Sequence, residues 1–334
     1  MTAVDTRGHS RSILAGLLVA LSLLAGCGRD RATPALKNAP PPGGGGRLVV
    51  GFSQVNHANP WRIAETNDIR SEASGRGYEL ILIDGGSSAA KQVKDVESLI
   101  ARKVDYIILA PKEYATLRPA ILAARDAGIP LILVDRMADA VPGKDFLAFV
   151  GSDFTQEGER VAEWLARRMG GNARIVELRG EKDSSPEIDR AAGFRRAIAK
   201  HPGMRIVASS YAHFERLEGQ KVMEEIILSL GRGFDVVYAH NDEMAIGAIQ
   251  ALKAAGISPG KDVILGSIDG GRDALKAIIA GELGVSVECS PRFARRIFDL
   301  IDAHRRGEAV SARIINEDRL FDGSNAAQFI YDAF

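Results

Sequence analysis

The sequence predicts an α/β fold of two similar lobes, and three observations predict it. From Arg47 onward, short apolar runs alternate with longer amphipathic ones. That alternation marks βαβ units and parallel sheets. The chain also contains a weak copy of itself. Asp105-Tyr-Ile-Ile-Leu-Ala, a helical stretch and Ala127-Gly128-Ile129-Pro130 lead to Leu-Ile-Leu-Val-Asp135-Arg136. Later, Asp235-Val-Val-Tyr-Ala-His, a helical stretch and Ala255-Gly256-Ile257 lead, after a Ser-Pro-Gly-Lys insert, to Val-Ile-Leu-Gly-Ser-Ile-Asp269. Third, polar and aromatic residues gather where strands end. Asp135 and Asp269 are expected at matching positions, each just past the carboxyl end of a strand, where open α/β sheets bind ligands. Two lobes facing each other would bring both carboxylates into one cleft.

Strands are expected over residues 48–53, 79–84, 106–110, 131–134, 147–151, 174–179, 205–210, 236–239, 263–267 and 284–288. Helical periodicity covers 89–101, 116–127, 156–169, 188–200, 216–230, 241–255 and 291–306, and a further helix opens at Pro60. On this reading the first lobe takes residues 47–150 with 290–313, and the second takes 151–289 with 314–334. The chain then crosses between lobes three times, near 151, 289 and 313.

The first 26 residues are read as a leader. Arg7 and Arg11 precede an apolar stretch from Ile13 to about Ala25, too short for a stable span and suited to a signal-peptide core. Leu24-Ala25-Gly26-Cys27 resembles the bacterial lipobox, which implies an acylated Cys27 and a protein held to the envelope membrane by lipid alone. Residues 27–46 then form a tether, with Pro40–Pro42 and Gly43–Gly46 giving extended and flexible segments. The glycine run precedes the first strand and lacks a Lys-Ser/Thr, so it is no phosphate loop. With Cys27 lipidated, Cys289 has no partner, and its apolar setting predicts a buried thiol. A formal net charge of zero, with no basic arm, argues against nucleic acid. The histidines His57, His201, His213, His240 and His304 lack paired ligand spacing, so no metal is expected, and no cofactor either.

The candidate site follows from the strand ends. Trp61, Arg62 and Glu65 share a helical face; Asp135-Arg136, Arg190, Phe214, Asn241, Asp269 and Glu288 come from other strand ends or helix starts, with Ser53, Gln54 and Asp84 as weaker candidates. Arg190 is read at the start of its helix, where the dipole disfavours a cation, so it needs another reason to be there. The inventory suits a neutral polyhydroxylated ligand. Carboxylates accept from hydroxyls, guanidinium forks donate to neighbouring oxygens, and an aromatic face covers the C–H side of a ring. Each residue also has a plainer role: Asn241 as a helix cap, Asp269-Gly270 as a turn, Asp135-Arg136 as a local ion pair, Trp61 and Phe214 as packing.

From residue 47 to about 330, "VGFSQ", "NPWR", "ILVDR", "EIDRAAGF", "YAHNDEMAIGAIQAL" and "LGSIDG" resemble the periplasmic sugar-binding proteins of ABC transporters, in the ribose/galactose-binding group with the LacI-like type I fold, and the galactofuranose-binding members above all. The resemblance implies two Rossmann-like lobes on a three-strand hinge and a monosaccharide between them. It implies an ABC permease as partner, a monomer, and the ten principal residues above as the sugar site. One departure is "VNHANPWR", whose Asn-His and Asn-Pro replace smaller and acidic residues, so the loop over the sugar and the ligand itself are open. A sensing receptor is an alternative within the same site. A glycoside hydrolase is the rival from another class, because two carboxylates across a cleft are its machinery. The arginines are expected to hold these carboxylates ionised, which disfavours a general acid.

Overall fold

The computed structural model describes residues 47–334. The leader, Cys27 and the tether lie outside the described residues. The first lobe runs β1 (Val49–Gln54), α1 (Pro60–Gly75), β2 (Glu79–Asp84), α2 (Ala89–Ala101), β3 (Tyr106–Leu109), α3 (Arg118–Asp126), β4 (Leu131–Val134) and β5 (Ala148–Gly151). The second runs α4 (Phe154–Arg168), β6 (Asn172–Arg179), α5 (Ser185–Ile198), β7 (Gly203–Tyr211), α6 (Arg216–Leu230), β8 (Val236–Ala239), α7 (Asp242–Ala254), β9 (Ile264–Asp269), α8 (Arg272–Ile279) and β10 (Val285–Glu288). The chain then returns through α9 (Ala294–Arg305), β11 (Arg313–Ile315), β12 (Leu320–Asp322) and α10 (Ala326–Phe329).

Two six-stranded sheets result, ordered β11-β5-β4-β3-β1-β2 and β12-β10-β9-β8-β6-β7. All pairings are parallel except β10 with β12. Strands β3, β4, β5, β8 and β10 are buried along their whole length, as sheets covered on both faces require. The repeat has a structural meaning. Asp105 accepts from the Val49 amide at 2.7 Å, and Asp235 accepts from the Arg174 amide at 2.8 Å. Each aspartate thus ties the third strand of its lobe to the first.

Several elements depart from expectation. Pro186 opens α5 early, at Ser185, because its fixed φ suits the first turn. Arg190 therefore lies in the second turn, and the dipole argument does not apply to it. Asp269 is the last residue of β9, paired with Glu288, and not a residue beyond the strand. The third crossing lies beyond Ile315, because β11 pairs with β5 through Ile315, two residues past the boundary expected at 313. Helix α8 and the short β11, β12 and α10 gave no periodicity long enough to read.

Helices α4 and α5 pack with almost no separation. A methyl group on Gly193 would lie 2.0 Å from the Thr155 carbonyl oxygen, and one on Gly158 would lie 2.2 Å from the Arg190 carbonyl oxygen. Any side chain there forces the backbones apart. Gly193→Ala should therefore destabilise the second lobe by about 2 kcal/mol, the usual cost of overpacking, read from urea denaturation. An unchanged midpoint would show that the contact is loose.

Candidate functional site

A cavity lies between the lobes. Its walls include Trp61, Arg62, Asp135 and Arg136 from the first lobe, and Arg190, Phe214, Asn241 and Asp269 from the second. Eight of the ten principal candidates meet there. Asn59, Pro186 and Cys289 also line it and were not singled out for the site.

The first lobe builds its side from α1 and the loop after β4. Asn59 caps α1 by accepting from the Arg62 amide at 3.0 Å, and Pro60 begins the helix. This fixes Trp61 and Arg62 at the rim of β1. The Arg62 guanidinium donates to Glu65 at 2.9 Å and to Asp135 at 2.6 Å, and lies 4.6 Å from the Trp61 ring centroid. Burial works against its charge, but Asp135 and then Glu65 outweigh burial and raise its pKa. Trp61 is 6% exposed; its indole N–H donates to the Cys289 carbonyl at 2.7 Å, and its ring meets Phe293 at 6.0 Å. It is therefore both a wall of the cavity and packing at the second crossing.

The second lobe repeats the arrangement with different residues. Arg190 donates to Glu157 at 2.8 Å and to the His240 carbonyl at 2.7 Å, and lies 3.6 Å from Asp269. Burial opposes its charge, yet Glu157 leads the groups that raise its pKa. Phe214 stands under Arg136 and Arg190, with its ring 5.5 and 5.9 Å from the two guanidinium carbons. Gly180 makes room for it, since a methyl group there would lie 2.0 Å from the ring. Asn241 caps α7 by accepting from Met244 and also donates to the Phe214 carbonyl, so it is cap and wall together. Asp135, Phe214 and Asp269 all have positive φ, of 61°, 63° and 132°. Such strain is typical of positions fixed by their surroundings for function.

Arg136 differs from the other two arginines. It donates to the Lys112 carbonyl at 3.2 Å, while its buried Nε lies 3.7 Å from Asp135, too far for a hydrogen bond. Burial, and then repulsion from Arg62, push its pKa down to about 9.

Two candidates stand behind the walls. Glu65 is fully buried, held by Arg62 and by Gln54, which donates to it at 2.8 Å. Glu288 is taken by Arg319, with two guanidinium bonds of 2.8 Å, and is not a wall of the cavity. Among the weaker candidates, Ser53 is buried and donates to Asp95, Gln54 supports Glu65, and Asp84 is half exposed and meets His57 at 3.1 Å. None of the three lines the cavity. Glu157 and the His240 carbonyl were missed. Glu157 sits in an ordinary amphipathic helix, and a backbone carbonyl leaves no trace in sequence.

The expectation that arginines keep the carboxylates ionised is opposed by burial at Glu65, Glu157 and Asp269. Desolvation outweighs the neighbouring guanidinium at Glu65 and Glu157, and raises both to about 7. It drives Asp269 well above the ordinary carboxyl range, with Arg190 opposing. Cys289 is buried, and burial raises its thiol pKa as well.

The chain belongs to the periplasmic binding protein family: the model described as a periplasmic binding protein domain matches residues 50–309. Within it, the chain is 41% identical over 262 residues to the galactofuranose-binding protein YtfQ of Escherichia coli (strain K12), covering 78% of this chain and 82% of that protein. It superimposes on the crystal structure of a galactofuranose-binding protein with a TM-score of 0.83 at 38% identity, covering 85% of this chain and 98% of that one. The periplasmic binding protein component of the arabinose ABC transporter from Shewanella sp. ANA-3, bound to α- and β-L-arabinofuranose, gives 0.82 at 37% identity, covering 85% and 95%.

The raised carboxyl groups have a consequence for stability. Between about pH 4.5 and 7 the folded chain holds more protons at Glu65 and Glu157 than the unfolded chain does. Their contribution is complete below 4.5 and is lost as pH rises through 7. The ligand-free urea midpoint should therefore fall between pH 5 and pH 8, and Glu157→Gln should shrink that fall. A midpoint that rises over the same interval contradicts the assignment.

Proposed function

We propose that the protein is the sugar-binding component of an ABC import system and takes a monosaccharide in furanose form between its lobes. The observation that carries this is the cavity itself. Three guanidinium groups, two aspartates and two aromatic rings from both lobes converge on one cavity, the mix of apolar walls and a few placed polar groups that small-ligand sites use. Arg62 and Arg190 already have carboxyl partners within the protein, so the cavity suits hydroxyl groups better than a charged ligand. Trp61 and Phe214 supply apolar cover for the C–H face of a ring. The furanose form is drawn from the galactofuranose and arabinofuranose named for the relatives.

Binding, and not turnover, is the activity proposed. Sugar would favour the closed arrangement of the lobes by contacts available only there, and the closed form would dock on a permease. The family supports this reading over a hydrolase. Sustained release of nitrophenol from nitrophenyl furanosides would overturn it.

A thermal-shift panel of pentoses, hexoses including galactofuranose, and polyols tests the ligand class. A ligand at a thousandfold excess over its Kd stabilises by about 4 kcal/mol. Asp135→Asn should abolish the shift while preserving the fold, because asparagine tolerates the positive φ that alanine would not. A folded protein that shifts with none of these compounds removes the sugar class.

We propose further that Cys27 is lipidated and holds the protein to the envelope membrane on its tether. Cys27→Ser should move the protein from the membrane fraction to the soluble fraction and eliminate palmitate labelling. Retention in the membrane fraction would contradict the anchor.

A further inference from the structure

Outside the cavity, the two lobes meet through a small polar contact. Lys112 follows β3 in the first lobe; its amide donates to Gln92 at 2.8 Å, and its carbonyl accepts from Arg136 at 3.2 Å. Its ammonium reaches Glu181 of the second lobe at 2.8 Å. The Lys112 side chain is 9% exposed, and the other oxygen of Glu181 lies 3.6 Å from His213. Two neutral bonds flank the pair: the Tyr114 amide donates to the Asp183 carbonyl and the Met137 amide to the Ser185 hydroxyl, both at 2.9 Å.

We propose that Lys112 is a positioning residue: its carbonyl fixes Arg136 at the ligand, and its ion pair with Glu181 sets how long the closed cleft keeps that ligand. The proposal rests on the sugar-binding reading. The physical reason is asymmetric. When the lobes part, the ammonium and carboxylate both return to water. When they close, the ammonium is buried and needs its carboxylate. Loss of Glu181 therefore penalises the closed form alone, by stranding a buried cation. Loss of the Lys112 charge removes the attraction and the desolvation together, and costs less.

The test uses the full chain and stopped-flow release of L-arabinose and D-galactose, whose solutions contain furanose forms. Glu181→Gln should raise the release rate about tenfold or more, since truncating one partner of a buried charge pair acts on dissociation. Lys112→Met should raise it less, and the double variant should resemble Lys112→Met. Hydrogen exchange at the Tyr114 and Met137 amides of the free chain reads closure without any sugar, and Glu181→Gln should speed it. Equal release rates, or single effects that simply add, overturn the proposal. If the wild type binds neither sugar, the ligand reading falls for those sugars, and exchange alone decides: unchanged protection at both amides then overturns the ion pair's role.

Discussion

A guanidinium taken out of water is costly unless a carboxyl group comes with it, and two of the three cleft arginines are arranged around that cost. Arg62 and Arg190 each sit on the helix that follows the first strand of a lobe. Each is buried between a glutamate and the aspartate that ends, or follows, the fourth βα step: Glu65 and Asp135 in one lobe, Glu157 and Asp269 in the other. The two lobes reach the same electrostatic solution by different routes. Glu65 comes from the same helix as its arginine, whereas Glu157 is lent by α4. Removing one partner of such a group costs more than the intact pair contributes, so each member constrains the others.

That constraint explains features that look unrelated. Helices α4 and α5 need glycines at 158 and 193, because only a close approach brings Glu157 against Arg190. The strand-end aspartates accept positive φ so that their carboxylates meet the arginines, at a cost on the order of 1–3 kcal/mol each. Gly180 yields its side chain to Phe214, which then faces two guanidinium groups. Helix-end capping by Asn59 and Asn241 places the residues that follow, so capping and site building are one act.

What could be read in the sequence is what the chain repeats or places locally. The Asp135/Asp269 correspondence was legible because both βα units carry the same motif, and the strand-tying aspartates Asp105 and Asp235 are part of it. The run Asn-Pro-Trp-Arg announced a helix start with unusual side chains. Glu288 was less legible: its partner Arg319 lies 31 residues further on, beyond the third crossing, in a stretch with no strong pattern. Ser53 and Gln54 stand at a strand end as a ligand site would require, yet their side chains are spent on Asp95 and Glu65. Position at a strand end identifies the neighbourhood of a site. Which side chain faces the ligand is decided by pairings that cross the sheet.

The cleft is fastened in two places, and the cavity lies between them. Trp61 lines the cavity and is bonded to the Cys289 carbonyl at the second crossing. Arg136 lines it too and is bonded to Lys112, whose ammonium reaches across to Glu181. These fastenings have fixed hydrogen-bond lengths, and such bonds weaken steeply once stretched. A ligand that fits between Trp61 and Arg136 allows both to form. A longer one must break one of them, and the cheaper to lose is the polar contact between lobes, since Trp61 is also packed against Phe293. On the proposed sugar-binding function, selection for a small ring would then need no clash inside the cavity. It would follow from the requirement that one ligand leave both fastenings intact.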